Sequence, residues 1–211
     1  MKTPVFFGLM AIFFVLASTA KADIEYWKVV EVTGQAEMKP PTESAWKDLS
    51  APLYIKSGSL VRTGKDGSVD FCLNRQWDSF LRLNENSEIT FLQKSPKEIR
   101  LKNGSLFALL EGEPAVGSLG IFLPDMTVRM TLGGAAIFVS TEQTTLQVFG
   151  ESVEVTDLTG SASDVSQNVA EGWEWSASRT RRLDFSDYAQ WQRWFRKSYE
   201  RKDKFLLKHT R

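Results

Sequence analysis

Apolar and polar positions alternate in short bursts along most of this chain, and turn-forming residues break the bursts at close intervals. From Tyr26 to about Glu174 this is the pattern of β-strands. Tyr26 to Met38 is rich in the aromatic and β-branched residues that strands favour, and Lys39-Pro40-Pro41-Thr42 ends it because consecutive prolines lack ladder donors. A loose repeat follows. Gly58-Ser59-Leu60, Gly67-Ser68-Val69, Asn86-Ser87-Glu88-Ile89 and Gly104-Ser105-Leu106 each set a turn residue and a serine ahead of an apolar strand, at intervals of 9, 19 and 18 residues. A strand plus turn of that size is the unit of sandwiches, rolls and β-solenoids. Glu98 to Leu106 reads as a strand, a polar-glycine turn and a second strand. Leu106-Phe107-Ala108-Leu109-Leu110 and Ala135-Ala136-Ile137-Phe138-Val139 are apolar on both faces, which predicts central strands covered on both sides. Ile121 to Leu123 and Thr145 to Phe149 are further strands, and Gly150-Glu151 is expected to turn the latter into Ser152 to Val155. Asp157 to Gln167 is small and polar and reads as a loop, after which Val169 to Trp175 closes the β region.

The pattern changes after Ser178. Tyr188, Trp191, Trp194, Phe195 and Tyr199 recur three and four apart, and Phe205 and Leu206 continue the stripe. Ser186-Asp187 supplies an N-cap with an acid in the first turn. The expectation is one amphipathic helix of about 20 residues, roughly 30 Å long. The fold class predicted is all-β, a two-sheet sandwich or roll with solenoid-like strand repeats, closed by this C-terminal α-helix. Three segments follow: a leader over 1–22, a β domain over 23–178 and a basic aromatic helix over 179–211.

Charge sharpens this division. The chain of 211 residues balances 26 basic against 26 acidic side chains, so no global field draws it to nucleic acid. From Arg179 onward, however, 11 basic residues face 4 acidic ones, whereas Asp23 to Ser178 holds 13 against 22. At the other end, Met1-Lys2 precedes a 13-residue apolar run, Val5 to Ala17, and Ala20-Lys21-Ala22 places small residues where signal peptidase reads. As a helix the run would reach about 20 Å, short of the roughly 30 Å hydrocarbon core. An exported protein, periplasmic or extracellular, beginning at Asp23 is therefore expected. Cys72 has no internal partner, and its place in an alternating run makes it a packed thiol, with an intermolecular disulfide as the alternative.

Candidate chemistry is sparse. The single histidine, His209, lies near the C-terminus, and the chain carries no nucleophile elbow, phosphate-binding loop or zinc-protease motif. The acidic pairs Glu111 with Glu113 and Glu171 with Glu174 read as solvated surface rather than glycosidase acids, and Asp157 with Asp164 lack a calcium-loop pattern. No catalytic residue, metal site or cofactor is expected. Asn103-Gly104-Ser105 matches a glycosylation sequon, which its turn position explains sufficiently. Trp173 and Trp175, two apart in a strand, would share a face and either stack sugar rings or cover a core edge. On the helix, Trp191 and Trp194 are expected against the β body. Arg193, Arg196, Lys197, Arg201, Lys202 and Lys204 are placed on the opposite face, either solvated or against an anionic surface.

The order of these features resembles the FecR domain, a β-rich module of exported bacterial proteins. The resemblance runs from about Val29 to Val155. It rests on Trp46-Lys47-Asp48-Leu49, Ile55 to Gly64, Gly67 to Leu73, Phe80 to Asn84, Asn86 to Ile89, Glu98 to Leu106 and Val148 to Val155. The chain departs from that pattern at Gly133-Gly134-Ala135-Ala136, where the family carries an Arg-Gly-Thr-type turn. The family's best-known regulators place a sigma-factor-binding segment and a membrane helix before the domain. Here only the leader is read ahead of it, so control of a sigma factor is not carried over. The resemblance implies a non-catalytic envelope module that binds a protein or polysaccharide partner, in signalling or assembly. A carbohydrate-binding or carbohydrate-active envelope protein and a peripheral membrane-surface protein are the alternatives.

Overall fold

The computed structural model describes residues 27–74, 76–94, 97–111, 117–158, 166–176 and 179–209. The expected leader, Glu113 and Asp164 lie outside the described residues. Nine strands lead to the middle of the chain: β1 (Trp27–Thr33), β2 (Ala36–Lys39), β3 (Lys47–Asp48), β4 (Leu53–Ile55), β5 (Leu60–Thr63), β6 (Ser68–Cys72), β7 (Phe80–Leu83), β8 (Glu88–Lys94) and β9 (Lys97–Leu110). Eight more follow: β10 (Leu119–Phe122), β11 (Met126–Met130), β12 (Gly133–Val139), β13 (Thr144–Gly150), β14 (Val153–Asp157), β15 (Ser166–Val169), β16 (Trp173–Ser176) and β17 (Arg179–Arg182). Helix α1 (Phe185–His209) ends the described chain.

The strands form two layers that share one member. The first runs β4-β1-β6-β7-β9-β12-β13-β16-β17. The second runs β3-β2-β5-β8-β9-β10-β11-β14-β15. Lys97 to Asn103 of β9 pair in the second layer, and from Gly104 onward the same strand pairs in the first. Gly104 has φ +89°, a conformation L side chains rarely adopt, and an added Cβ would collide with Ser87. The expected turn in Glu98 to Leu106 is thus a crossing point inside one continuous 14-residue strand. One other expectation is corrected in the same way. The run up to Met38 is not one strand, because the chain turns at Gly34 (φ +63°) and sends β1 and β2 to different layers. Gly150-Glu151 turns β13 into β14 as expected, and in doing so carries the chain from the first layer to the second, with Glu151 at φ 59°.

The serines of the repeated turn signature tie neighbouring turns together. The Thr63 hydroxyl donates to the Asn84 carbonyl (2.5 Å), and the Ser87 amide donates back to Thr63 Oγ1 (3.0 Å). Ser105 N–H donates to Ser87 Oγ (2.8 Å), while Asn84 N–H donates to the Ser105 carbonyl (3.0 Å). Backbone groups that would be left dry at the end of a sandwich are satisfied by this hydroxyl ladder.

Between the layers lies the main core, with Trp27, Phe71, Phe91, Ile99, Leu101, Leu106 and Ile137 fully enclosed. Strand alternation decides who enters it: in β11, Met126, Val128 and Met130 point inward while Thr127 and Arg129 face out. The central strands are covered on both sides, as their two-sided apolarity predicts. Phe107, Leu109 and Ala136 turn away from the main core and join Cys72, Phe80, Phe149, Trp191 and Trp194 in a second cluster beneath α1. Arg179 to Arg182 add a strand to the first layer, so the C-terminal segment 179–211 is not helix throughout. Helix α1 itself is 25 residues long, one turn beyond expectation.

Candidate functional site

Helix α1 begins at a cap two residues before the one expected. Asp184 Oδ1 accepts the amides of Ser186 (2.8 Å) and Asp187 (3.2 Å), and Asp187 Oδ2 accepts the Asp184 amide in return (3.0 Å). This reciprocal box satisfies the first orphan donors of the helix. Ser186 spends its hydroxyl on the same Asp184 carboxylate (2.6 Å), which holds the Asp184 carboxyl below its ordinary range.

The aromatic stripe then meets the first layer. Trp191 stacks flat on Phe149, with centroids 4.9 Å apart and planes within 1°. It also presents an edge to Phe107, at 6.2 Å. Trp194 is 2% exposed and lies against Phe107, at 5.7 Å. The indole of Trp191 occupies the space a side chain at position 134 would need, which gives Gly133-Gly134 a packing reason as well as a conformational one. Ser198 is fully buried on the same face, where a small residue lets the helix approach.

Two ionic clamps fix the helix lengthwise. Near its start, Arg181 of β17 bridges Glu174 of β16 (2.6 Å) and Asp187 of α1 (2.9 Å), and Gln147 of β13 donates to both carboxylates (2.8 and 3.2 Å). The Arg181 hydrogen bond holds the Asp187 carboxyl below its ordinary range. Toward its end, Arg201 reaches Asp70 of β6 and Glu31 of β1. Asp70 is 2% exposed and already holds Arg82, directly opposite on β7, through two bonds of 2.6 and 2.7 Å. Tyr199 donates to Glu111 at the end of β9, and burial, reinforced by that carboxylate, raises the phenol well above its usual value.

The expected contact residues separate. Arg193, Arg196 and Lys197 stand exposed on the outer face of α1, but Arg201 is turned inward and neutralised. Its spacing carried that signal: seven residues after Trp194, it falls on the packed stripe. Trp173 and Trp175 do not form a joint platform. Trp175 belongs to the main core, while Trp173 is 36% exposed under the Arg182 guanidinium, 5.4 Å from the ring centroid. Glu174 is 5% exposed and bound to Arg181, so it is buried rather than the solvated surface expected, and Glu111 is bound to Tyr199. Among the described residues no cluster of His, Cys, Asp and Glu could hold a metal ion. Cys72 is buried with its thiol donating to the Asn74 carbonyl (3.1 Å), and burial pushes it up to about 12. No helix among the described residues is long and apolar enough to cross a membrane.

Where α1 leaves the ends of β9, β12 and β13 uncovered, a groove of about 630 Å³ remains, a volume usual for ligand sites. Leu110, Leu132, Phe149, Trp191, Tyr188 and Phe195 line it, with Glu111, Glu151 and Glu171 around them. This groove was not legible in the sequence, since its walls come from four separate elements.

No family model matches this chain, and no curated protein does either. Among solved structures, a candidate anti-sigma factor from Parabacteroides distasonis superposes with a TM-score of 0.50 at 11% identity, over 63% of this chain and 64% of that one. A second structure from the same organism, with the same description, gives a TM-score of 0.42 at 12% identity over 62% and 58% of the two chains. The chain therefore spans less than two thirds of the structures it matches, and what the first of them shares with it is the fold.

Proposed function

We propose that this chain is a non-catalytic contact module of the cell envelope, in which the sandwich is scaffold and the α1-bearing face meets another protein. The observation that carries this reading is the clamped helix. Ionic networks at both of its ends and an aromatic seam between them hold the groove in one preformed shape. A recognition surface that needs no ordering on binding loses less entropy to its partner. The fold shared with a candidate anti-sigma factor fits a regulatory role in envelope signalling. Export rests on the leader and its small-residue cleavage site, with the mature chain starting at Asp23. The test is site-specific photocrosslinking of the full chain in its native envelope, with probes at Gln192 in the groove and at Arg100 on the outer face of the second layer. A discrete adduct at either position supports a contact module, an adduct at Arg100 alone takes the α1-bearing face out of it, and absence of adducts at both positions removes the reading.

A further inference from the structure

We infer that the groove beside α1 takes a lysine- or arginine-bearing segment of a partner protein, seating the cationic side chain between aromatic rings and carboxylates. This deepens the contact-module reading and rests on it. Charge selection is the first argument. Although α1 is the basic part of the chain, each charged residue lining the groove is a glutamate: Glu111, Glu151 and Glu171. The helix arginines and lysines do not line it. Shape supplies the second argument. Trp191, stacked on Phe149, makes a fixed floor, and the half-buried rings of Tyr188 and Phe195 stand at its sides. An aromatic face attracts a cation most strongly where water is partly excluded, and a carboxylate beside it fixes the cation's position. Exposure is the third: Glu151 and Glu171 are open to solvent, where a partner's cationic side chain can reach them. An anionic lipid or an acidic peptide would meet repulsion there, and a neutral glycan would use the carboxylates as hydrogen-bond acceptors but not their charge.

The full chain is titrated, by fluorescence anisotropy, against a labelled Gly-Leu-Arg-Leu-Lys-Gly peptide and its Gly-Leu-Glu-Leu-Glu-Gly counterpart. The cationic peptide should bind about tenfold more tightly, and added salt should narrow the gap. Both substituted side chains are exposed, so Glu151→Lys with Glu171→Lys should leave the circular dichroism unchanged while reversing the preference. Equal binding, no binding, or a preference that survives the reversal overturns the proposal. A partner crosslinked from Arg100 but not from Gln192 also overturns it while leaving the contact-module reading in place. Loss of adducts at both positions removes that reading itself.

Discussion

The contact of Gly134 with Trp191 allows the seam between helix and sandwich to be tested by a double-mutant cycle. Gly134 is not in the left-handed region, so alanine is conformationally acceptable there, and only space opposes it. Its Cβ would stand 2.7 Å from Trp191 Cη2, well inside van der Waals contact, and the stacked Phe149 blocks the indole from retreating. Gly134→Ala should therefore cost about 1–3 kcal/mol as overpacking. Trp191→Ala alone should cost about 3–5 kcal/mol, because it empties a buried site lined by Phe107, Phe149 and Trp194. In the Trp191→Ala background the methyl enters vacant space, and the loss of glycine's freedom in the unfolded chain makes Gly134→Ala favourable by about 0.4–1 kcal/mol. The expected coupling is about 1.4–4 kcal/mol, with the sign of the Gly134 substitution reversing between backgrounds. Urea unfolding followed by far-ultraviolet circular dichroism measures all four corners without depending on tryptophan emission. Equal destabilisation by Gly134→Ala in both backgrounds would refute the packing described for α1.

Asp70→Ala should destabilise the fold by about 3–5 kcal/mol in thermal or urea unfolding, since it strands Arg82 and Arg201 together without their shared anion. Asp184→Ala removes the helix cap and should lower the midpoint of the same unfolding transition. Cys72 should resist a thiol reagent at pH 8 in the native protein and react at once in denaturant. Because its folded value is raised, its contribution to stability is whole below the ordinary value of 9.0 and disappears as the pH climbs to about 12. On the acid side, Asp184 and Asp187 act with opposite sign. Their folded values are depressed, so their contribution is whole above 3.8 and is lost as the pH falls through those lower values, seen as loss of helical signal.

How far the sequence foretold the molecule depends on what each signal encodes. Two-sided apolarity in Leu106 to Leu110 and Ala135 to Val139 announces burial on both faces, because Phe107 and Ala136 would otherwise meet water. The three-and-four spacing of Trp191, Trp194 and Phe195 similarly requires a partner surface. Turn chemistry is less informative. Gly34, Gly104 and Gly150-Glu151 look alike whether the chain folds back within a layer, crosses between layers or bends within a continuing strand, since local dihedrals do not record which strand lies alongside. The ionic clamps were hidden for a related reason. Asp70 and Arg82 stand alone in apolar runs until β6 and β7 are set in register, and only then does Arg201 gain a destination. Trp173 and Trp175 share a face as their spacing demands, but their different depths follow from where β16 ends beneath its neighbours.

The sharing of β9 between layers bears on how the chain is made. Every strand before β9 pairs with others before it or with β9, and every strand after it pairs with others after it or with β9. During synthesis the first nine strands can thus complete their own hydrogen bonding while the rest of the polypeptide is still being assembled. At that moment the outer flank of β9 offers unmatched amides and carbonyls in both layers at once, a sticky template for a neighbouring molecule. Arrival of β10 on one half and β12 on the other seals it, so the span between a finished β9 and a delivered β12 is the interval in which the nascent protein is most open to association with its own kind.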